Sequence, residues 1–238
     1  MSDSIKRGYT PTDLKEFSSK SIEILKIASS DVLAIIDRGY SIKSVSTFVG
    51  NHYQLSERQR IAITRAVSPT KDVELRLNKL VTSCKNQSVH IDGLNIIITL
   101  ETMLSQTTLI KCMDGTIRDL CGLRGTYRLI DKTDMAIELI GNELQYLGVS
   151  KAIFYLDKPV SNTGRLAQRI HELLQDSPFT LQTELVPNAD VILETKDNVI
   201  TSDAIILNRC NSWINLAYNI LCRHYPDTPI VDFIQNIN

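Results

Sequence analysis

The sequence predicts an α/β domain, a mainly parallel sheet flanked by helices, preceded by an all-helical N-terminal segment. Three observations predict it. Beyond about position 85, short β-rich apolar runs alternate with helical patterns of ten or more residues, as βαβ units require. Before it, apolar residues recur at spacings near three and four. Between the two textures lies the polar stretch SCKNQS around Cys84, which divides the 238 residues into 1–84 and 85–238.

The N-terminal elements follow in order. Leu14, Phe17, Ile22, Leu25, Ile27, Leu33 and Ile36 form a helical stripe that Thr10 or Thr12 can cap and Gly39 ends. A short link leads to Ser44–Val49. In HYQLSERQRIAITRAV, Ser56 can cap a helix carrying Ile61, Ile63 and Val67, which Ser68-Pro69 stops. Val73–Leu80 reads as another helix, making three or four helices and no clear strand.

In the second part SVHIDGLNIII is a β-rich run interrupted by Asp-Gly, and TLIKCM is a short strand. The segment MDGTIRDLCGLRGTYRLID shows neither period and reads as a long irregular excursion. MAIELIGNELQYL is helical and closes at Gly148. KAIFYL, FTLQTELV and DNVITSD read as strands, with the helix GRLAQRIHELL after the first. The tail CRHYPDTPIVDFIQNIN supplies a final strand or helix packing on the sheet.

Composition narrows the function classes. With 43% apolar and 22% charged residues the chain is globular rather than disordered. Its net charge of −1 gives no global signal for nucleic acid, although charge averages over unlike faces and an acidic site lowers the total. Five cysteines without a CxxC pair argue against zinc ribbons and redox motifs, and for the free thiols of a reducing compartment. The N-terminus has no apolar signal core, and no window approaches the roughly 20 apolar residues of a membrane span. A cytoplasmic protein with no membrane partner is the expectation. No P-loop, GxGxxG or nucleophilic triad pattern is present.

Three strand candidates finish alike. VHIDGLN gives Asp92 and Asn95; AIFYLDKPVSNTGR gives Asp157, Asn162 and Arg165; NVITSD gives Ser202 and Asp203. In a parallel sheet, residues beyond the carboxyl ends of strands share one crevice, where ligands bind. Clustered carboxylates repel and need compensation, for which the hard cations Mg²⁺ or Mn²⁺ suit an oxygen donor set. The competing reading is that each aspartate caps a helix or forms a turn.

Those motifs carry a resemblance. VHIDGLNIII is similar to the opening strand of PIN- and NYN-type nucleases, AIFYLDKPVSN to their later aspartate-ended strand, and VITSDAII to their final strand end, in the same order over roughly residues 88–210. The whole chain also resembles a family of archaeal and bacterial proteins that pairs a helical part containing a motif like HYQLSERQR with a domain carrying IDGLN and YLDKPVSNTGRL. The resemblance implies Mg²⁺- or Mn²⁺-dependent hydrolysis of phosphodiesters, with RNA the favoured substrate. Asp92, Asp157 and Asp203 match the catalytic metal-binding carboxylates. Asn95 would orient Asp92 or contact phosphate. The further acidic residue of such domains is matched only loosely, by Asp190 with Glu194 one turn on.

Further candidates for gripping substrate are Ser202, Asn162 and Arg165 at strand-to-helix turns, and Arg118 and Arg124 in the glycine-rich excursion. The alternative for those arginines is pairing with Asp114, Asp119 and Asp131. Arg58 and Arg65 share a helix face that is either a basic surface beside the crevice or a solvated face. Glu101 faces either the site or solvent. Two functions compete with the nuclease: an RNA- or nucleotide-binding module with little or no turnover, and a phosphohydrolase on a small substrate. A structural adaptor is expected if all three aspartates cap helices and no pocket opens beside them. The sequence leaves the oligomeric state open, a homodimer included.

Overall fold

A computed structural model describes residues 5–122 and 125–234. The helices of the first part are α1 (Asp13–Glu16), α2 (Ser19–Ile36), α3 (Ile42–His52), α4 (Glu57–Ala66) and α5 (Thr70–Lys79). The count is therefore five where the sequence suggested three or four, because the chain breaks at Ser18 into a separate first turn. Ser56 caps α4 in a reciprocal box with Gln59, which satisfies two orphan donors of the first turn.

The second part comprises β1 (Ser88–Asp92), α6 (Gly93–Leu104), β2 (Leu109–Lys111), β3 (Ile117–Asp119), α7 (Thr133–Tyr146), β4 (Lys151–Asp157) and α8 (Thr163–Leu174). It continues with β5 (Thr180–Val186), α9 (Ala189–Leu193), β6 (Val199–Ile200), α10 (Ala204–Arg209), α11 (Leu216–His224) and β7 (Ile230–Val231). The fold is α/β. Its main sheet has the order β5-β4-β1-β6 with every pair parallel. From β1 the chain steps outward to β4 and β5, then returns as β6 on the far side of β1. That reversal places β1 at the switch where open parallel sheets bind ligands.

The strand period sorts the core. Val89, Ile91, Ala152, Phe154 and Leu156 point into one cluster with α6, α7 and α8. Ile153 and Tyr155 point into the opposite cluster with Trp213, α9 and α10. The sheet is thus covered on both faces, as a parallel sheet must be.

A second, three-stranded sheet has the order β3-β2-β7, with β2 antiparallel to β3 and parallel to β7. Leu109 and Ile117 face the main core, whereas Ile110, Cys112, Leu120 and Phe233 face α2, α3 and α4. This small sheet is the layer between the two parts of the chain. Burying a side chain such as Ile110 contributes roughly 1.5–3 kcal/mol, so the N-terminal helices complete a core. The tail accordingly packs on this second sheet through β7, rather than on the main one.

Two readings need correction. The run after Asp92 leaves the sheet at Gly93 and becomes α6, whose Ile96, Ile97 and Ile98 are all buried. The glycine-rich segment contains β3 and its turn rather than irregular chain alone. No helix among the described residues is long and apolar enough to cross a membrane.

Candidate functional site at the carboxyl edge of the main sheet

Each of the three strand-end aspartates sits where a strand gives way to a helix. Asp92 ends β1 and caps α6. Its Oδ1 accepts the Asn95 N–H at 3.4 Å and its Oδ2 accepts the Thr201 hydroxyl at 2.8 Å. The Asp-Gly pair has a packing cause: a Cβ on Gly93 would lie 2.6 Å from Leu156 Cδ2 and 3.1 Å from the Tyr155 carbonyl oxygen. Only glycine lets α6 start this close to β4. Asp203 caps α10 through one oxygen, Oδ1, which accepts the N–H groups of Ile205 (2.7 Å) and Ile206 (3.2 Å). Asp157 accepts the Ala189 N–H at 2.9 Å, where α9 begins.

Capping is therefore realised by Asp92 and Asp203, whereas Asp157 opens a turn to Val160 and α9 takes its cap from Asn188. These contacts leave oxygens over. Asp203 Oδ2, Asp157 Oδ2 and both oxygens of Asp190 accept no hydrogen bond among the described residues.

Two of the four carboxyls, Asp92 and Asp190, respond to their acidic neighbours. Burial pushes the Asp92 carboxyl from 3.8 up to about 7. Hydrogen bonds from Thr201 and from the Asn95 backbone oppose that rise, and the charges of Asp190 and Asp203 add to it. Asp190 on α9 is also raised, first by desolvation, then by Asp203, Asp157 and Glu194. The loosely matched fourth acid thus lies within electrostatic reach of the other three.

The chemistry of this donor set, hard oxygens with surplus negative charge, fits Mg²⁺ or Mn²⁺. The side chains as they stand do not close a shell, since among the described residues no three His, Cys, Asp or Glu side chains meet as metal ligands. Coordination would draw on the free oxygens of Asp157, Asp190 and Asp203, with Asp92 beside them.

Asn95 does not orient Asp92 through its side chain. Its Oδ1 instead accepts both the Ser202 N–H (2.9 Å) and the Ser202 hydroxyl (3.0 Å), fastening the start of α6 to the end of β6. A partly open groove of about 580 Å³ runs beside this junction. One wall is α6 and the turn from Ser202 to Ile205. The other is built by α3 and α4, with Arg65 on its lip, and β3 supplies Arg118 and Asp119. The adaptor reading required all three aspartates as caps and no pocket; two of them cap helices, and the groove is present. A second groove of about 490 Å³ between α1 and β7 lies away from the strand ends, and its Asp13 is already paired with Arg58.

The other candidates fall in different places. Arg118 is a buried residue of β3, not an exposed loop arginine. Its Nη2 donates to Asp114 Oδ2 at 2.7 Å and its Nη1 to the Arg65 carbonyl, while its Nε has no partner. Asp114 also accepts Arg76 Nη1 at 2.7 Å. Burial pushes the Asp114 carboxyl up, but Arg118, Thr116 and Arg76 outweigh it and hold the group below its ordinary value. Pairing with Asp114, one of the two readings for these arginines, is thus realised for Arg118. Arg124 lies outside the described residues.

Asn162 adopts φ +71° at the start of α8 and donates to the Tyr127 carbonyl at 2.7 Å. It fastens the excursion to α8. Arg165 is exposed on the same helix, and neither residue lines the groove. Glu101 faces neither site nor solvent. It is fully buried and accepts from Arg7 Nε (2.7 Å), Tyr127 (2.6 Å) and Thr133 (2.5 Å).

Sequence reasoning passed over Thr201, the partner of Asp92, although it stands two residues before Asp203. It had Arg65 only as one residue of a basic face. Arg58, its neighbour on that face, is bound to Asp13 instead.

Two protein-family models match the chain: "Protein of unknown function (DUF434)" over residues 24–79 and "Domain of unknown function (DUF5616)" over residues 81–219. The chain is 34% identical over 188 residues to "Uncharacterized protein MJ0935" of Methanocaldococcus jannaschii, a match covering 77% of this chain and 89% of that protein. No solved structure matches it significantly.

Proposed function

The chain belongs to the family of the domain of unknown function DUF5616, and we propose that it is a divalent-metal-dependent nuclease that hydrolyses phosphodiester bonds, with RNA the favoured substrate. One observation carries the reading. Asp92, Asp157, Asp190 and Asp203, drawn from four separate segments, gather at the carboxyl edge of a parallel sheet, where their charges add to the cost of ionising Asp92 and Asp190, with an open groove beside Asp203. Stability alone does not call for such a gathering, because uncompensated carboxylates oppose folding. The order of the three aspartate motifs, similar to that of PIN and NYN domains, supports the same reading.

The protein's own parts divide the work. Asp157, Asp190 and Asp203 would supply their free oxygens to a cation as the side chains close on it, and Asp92, tied to Thr201, would stand beside them. A bound Mg²⁺ or Mn²⁺ would supply charge neutralisation at the phosphate and a more acidic water. The caps on α6 and α10 fix Asp92 and Asp203 to rigid elements, so their positions do not depend on loop motion. Asn95 and Ser202 lock together the two elements that carry them.

A second reading, an RNA- or nucleotide-binding module with weak or no turnover, is favoured by the backbone N–H groups that already occupy one oxygen on each of Asp157 and Asp203. Cleavage of a mixed RNA pool with Mn²⁺ or Mg²⁺, abolished by chelator, separates the two. Metal-dependent cleavage selects the nuclease, and intact RNA with both metals selects the binding module.

A further inference from the structure

The groove between the two parts of the chain has a composition of its own. Its floor and sides are apolar at Ile42, Leu94, Ile98 and Ile205, while Arg65 and Asn95 stand at its edges. About 580 Å³ falls within the range of small-ligand sites and is far too small for a nucleic-acid duplex.

Its lining balances Arg65 and Arg118 against Asp119 and Asp203, and an unpartnered buried donor points to an anion. Arg76, Asp114 and Arg118 form a buried cluster of two guanidinium groups on one carboxylate, which leaves one positive charge in excess. The Arg118 side chain is 9% exposed and lines the groove, and its Nε has no partner. A buried cation short of partners is stabilised by an anion nearby. Asp203 supplies part of that field. Arg65 is the accessible donor: its Nη1 and Nη2 bond to the carbonyls of Asp119 and Cys121, Nη1 also reaches the Asp119 carboxylate at 3.4 Å, and these contacts fix its guanidinium at the groove lip with N–H groups to spare.

From this we infer that the groove is a subsite for one nucleotide unit, built jointly by the helical part and the α/β part. The apolar slot receives the base, and Arg65, with Arg118 behind it, receives the phosphate next to Asp203. The inference rests on the nuclease reading for its choice of substrate class, and it gives α3 and α4 a binding role. The nucleotide has two sources, a free mononucleotide or one residue of a single strand threaded past the acidic edge.

The test uses the full chain with chelator present, so that binding is read without hydrolysis. Titration calorimetry compares the four nucleoside 5′-monophosphates, a single-stranded RNA tetranucleotide and inorganic phosphate. We expect nucleotide-containing probes to bind at least tenfold more tightly than phosphate. Arg65→Lys and Ile205→Glu should each weaken them at least fivefold, and Glu138→Gln, on the exposed side of α7 away from the groove, should leave them within twofold. Ile205 is 56% exposed, so its replacement keeps the test valid should the Arg65 variant unfold. Tighter binding of the tetranucleotide identifies the threaded strand, and equal binding identifies the mononucleotide; both support the subsite.

Binding no tighter than phosphate, or binding unaffected by Ile205→Glu, overturns it. The two readings fail separately. RNA left intact while nucleotides bind removes the nuclease and keeps the subsite. Metal-dependent cleavage unaffected by Ile205→Glu does the reverse.

Discussion

The Thr201 hydroxyl donates to Asp92 Oδ2 across 2.8 Å, so the residue after β6 holds the carboxylate that ends β1. That contact joins neighbouring strands and sets a titrating group beneath the acidic edge. Burial raises the Asp92 carboxyl from 3.8 to about 7. A carboxyl raised in the folded state contributes stability fully below its unfolded pKa and loses it as pH rises through the folded one. In chelator-treated protein, stability should therefore fall between pH 4 and pH 7, by at most about 4 kcal/mol at ~1.36 kcal/mol per pKa unit. Asp92→Asn should flatten most of that slope in calorimetric scans, and an unchanged slope would place the titration elsewhere.

Asn95 and Ser202 make the second clasp. Asn95→Ala removes the acceptor of two donors on a buried residue. Urea unfolding should show a loss of about 1–3 kcal/mol. RNA cleavage should fall with it, because α6 and α10 are no longer fastened beside Asp203. A variant as stable as wild type would show that the clasp is dispensable.

Glu101 gives the opposite contrast. It ties Arg7, Tyr127 and Thr133 together inside the core. Glu101→Ala strands a largely buried arginine and should cost roughly 3–5 kcal/mol, measured by chemical denaturation. The protein that remains folded should keep its specific activity. A selective loss of activity at wild-type stability would return Glu101 to the site.

Much of this was legible in the sequence, and the failures have physical causes. β4 and β5 are seven residues each; the first reads directly from its apolar run and the second from its alternation. The strand-end aspartates of β1, β4 and the β6 turn were visible because a parallel sheet repeats one handover from strand to helix. A helix carrying Glu101 was legible after the first strand, but the start of α6 read as β-rich because the helix is buried nearly all round and lacks the one-sided stripe by which helices are recognised. β2 and β3 are three residues each, too short to show a period. The partner strand β7 joins β2 from about 120 residues away, a pairing no local pattern encodes. The groove is composite for the same reason: Arg65 and Asp203 meet only once the second sheet is in place.

The most direct test of the central claim is cleavage of end-labelled single-stranded RNA under excess enzyme, with Mn²⁺ or Mg²⁺, for wild type and Asp157→Asn. Asp157 makes one backbone contact through Oδ1, which the asparagine carbonyl can preserve, so the variant should fold normally. The account predicts metal-dependent cleavage by wild type, none with chelator, and a loss of at least a hundredfold in the variant. Equal rates in the two proteins, or RNA left intact by wild type with both metals, would contradict it.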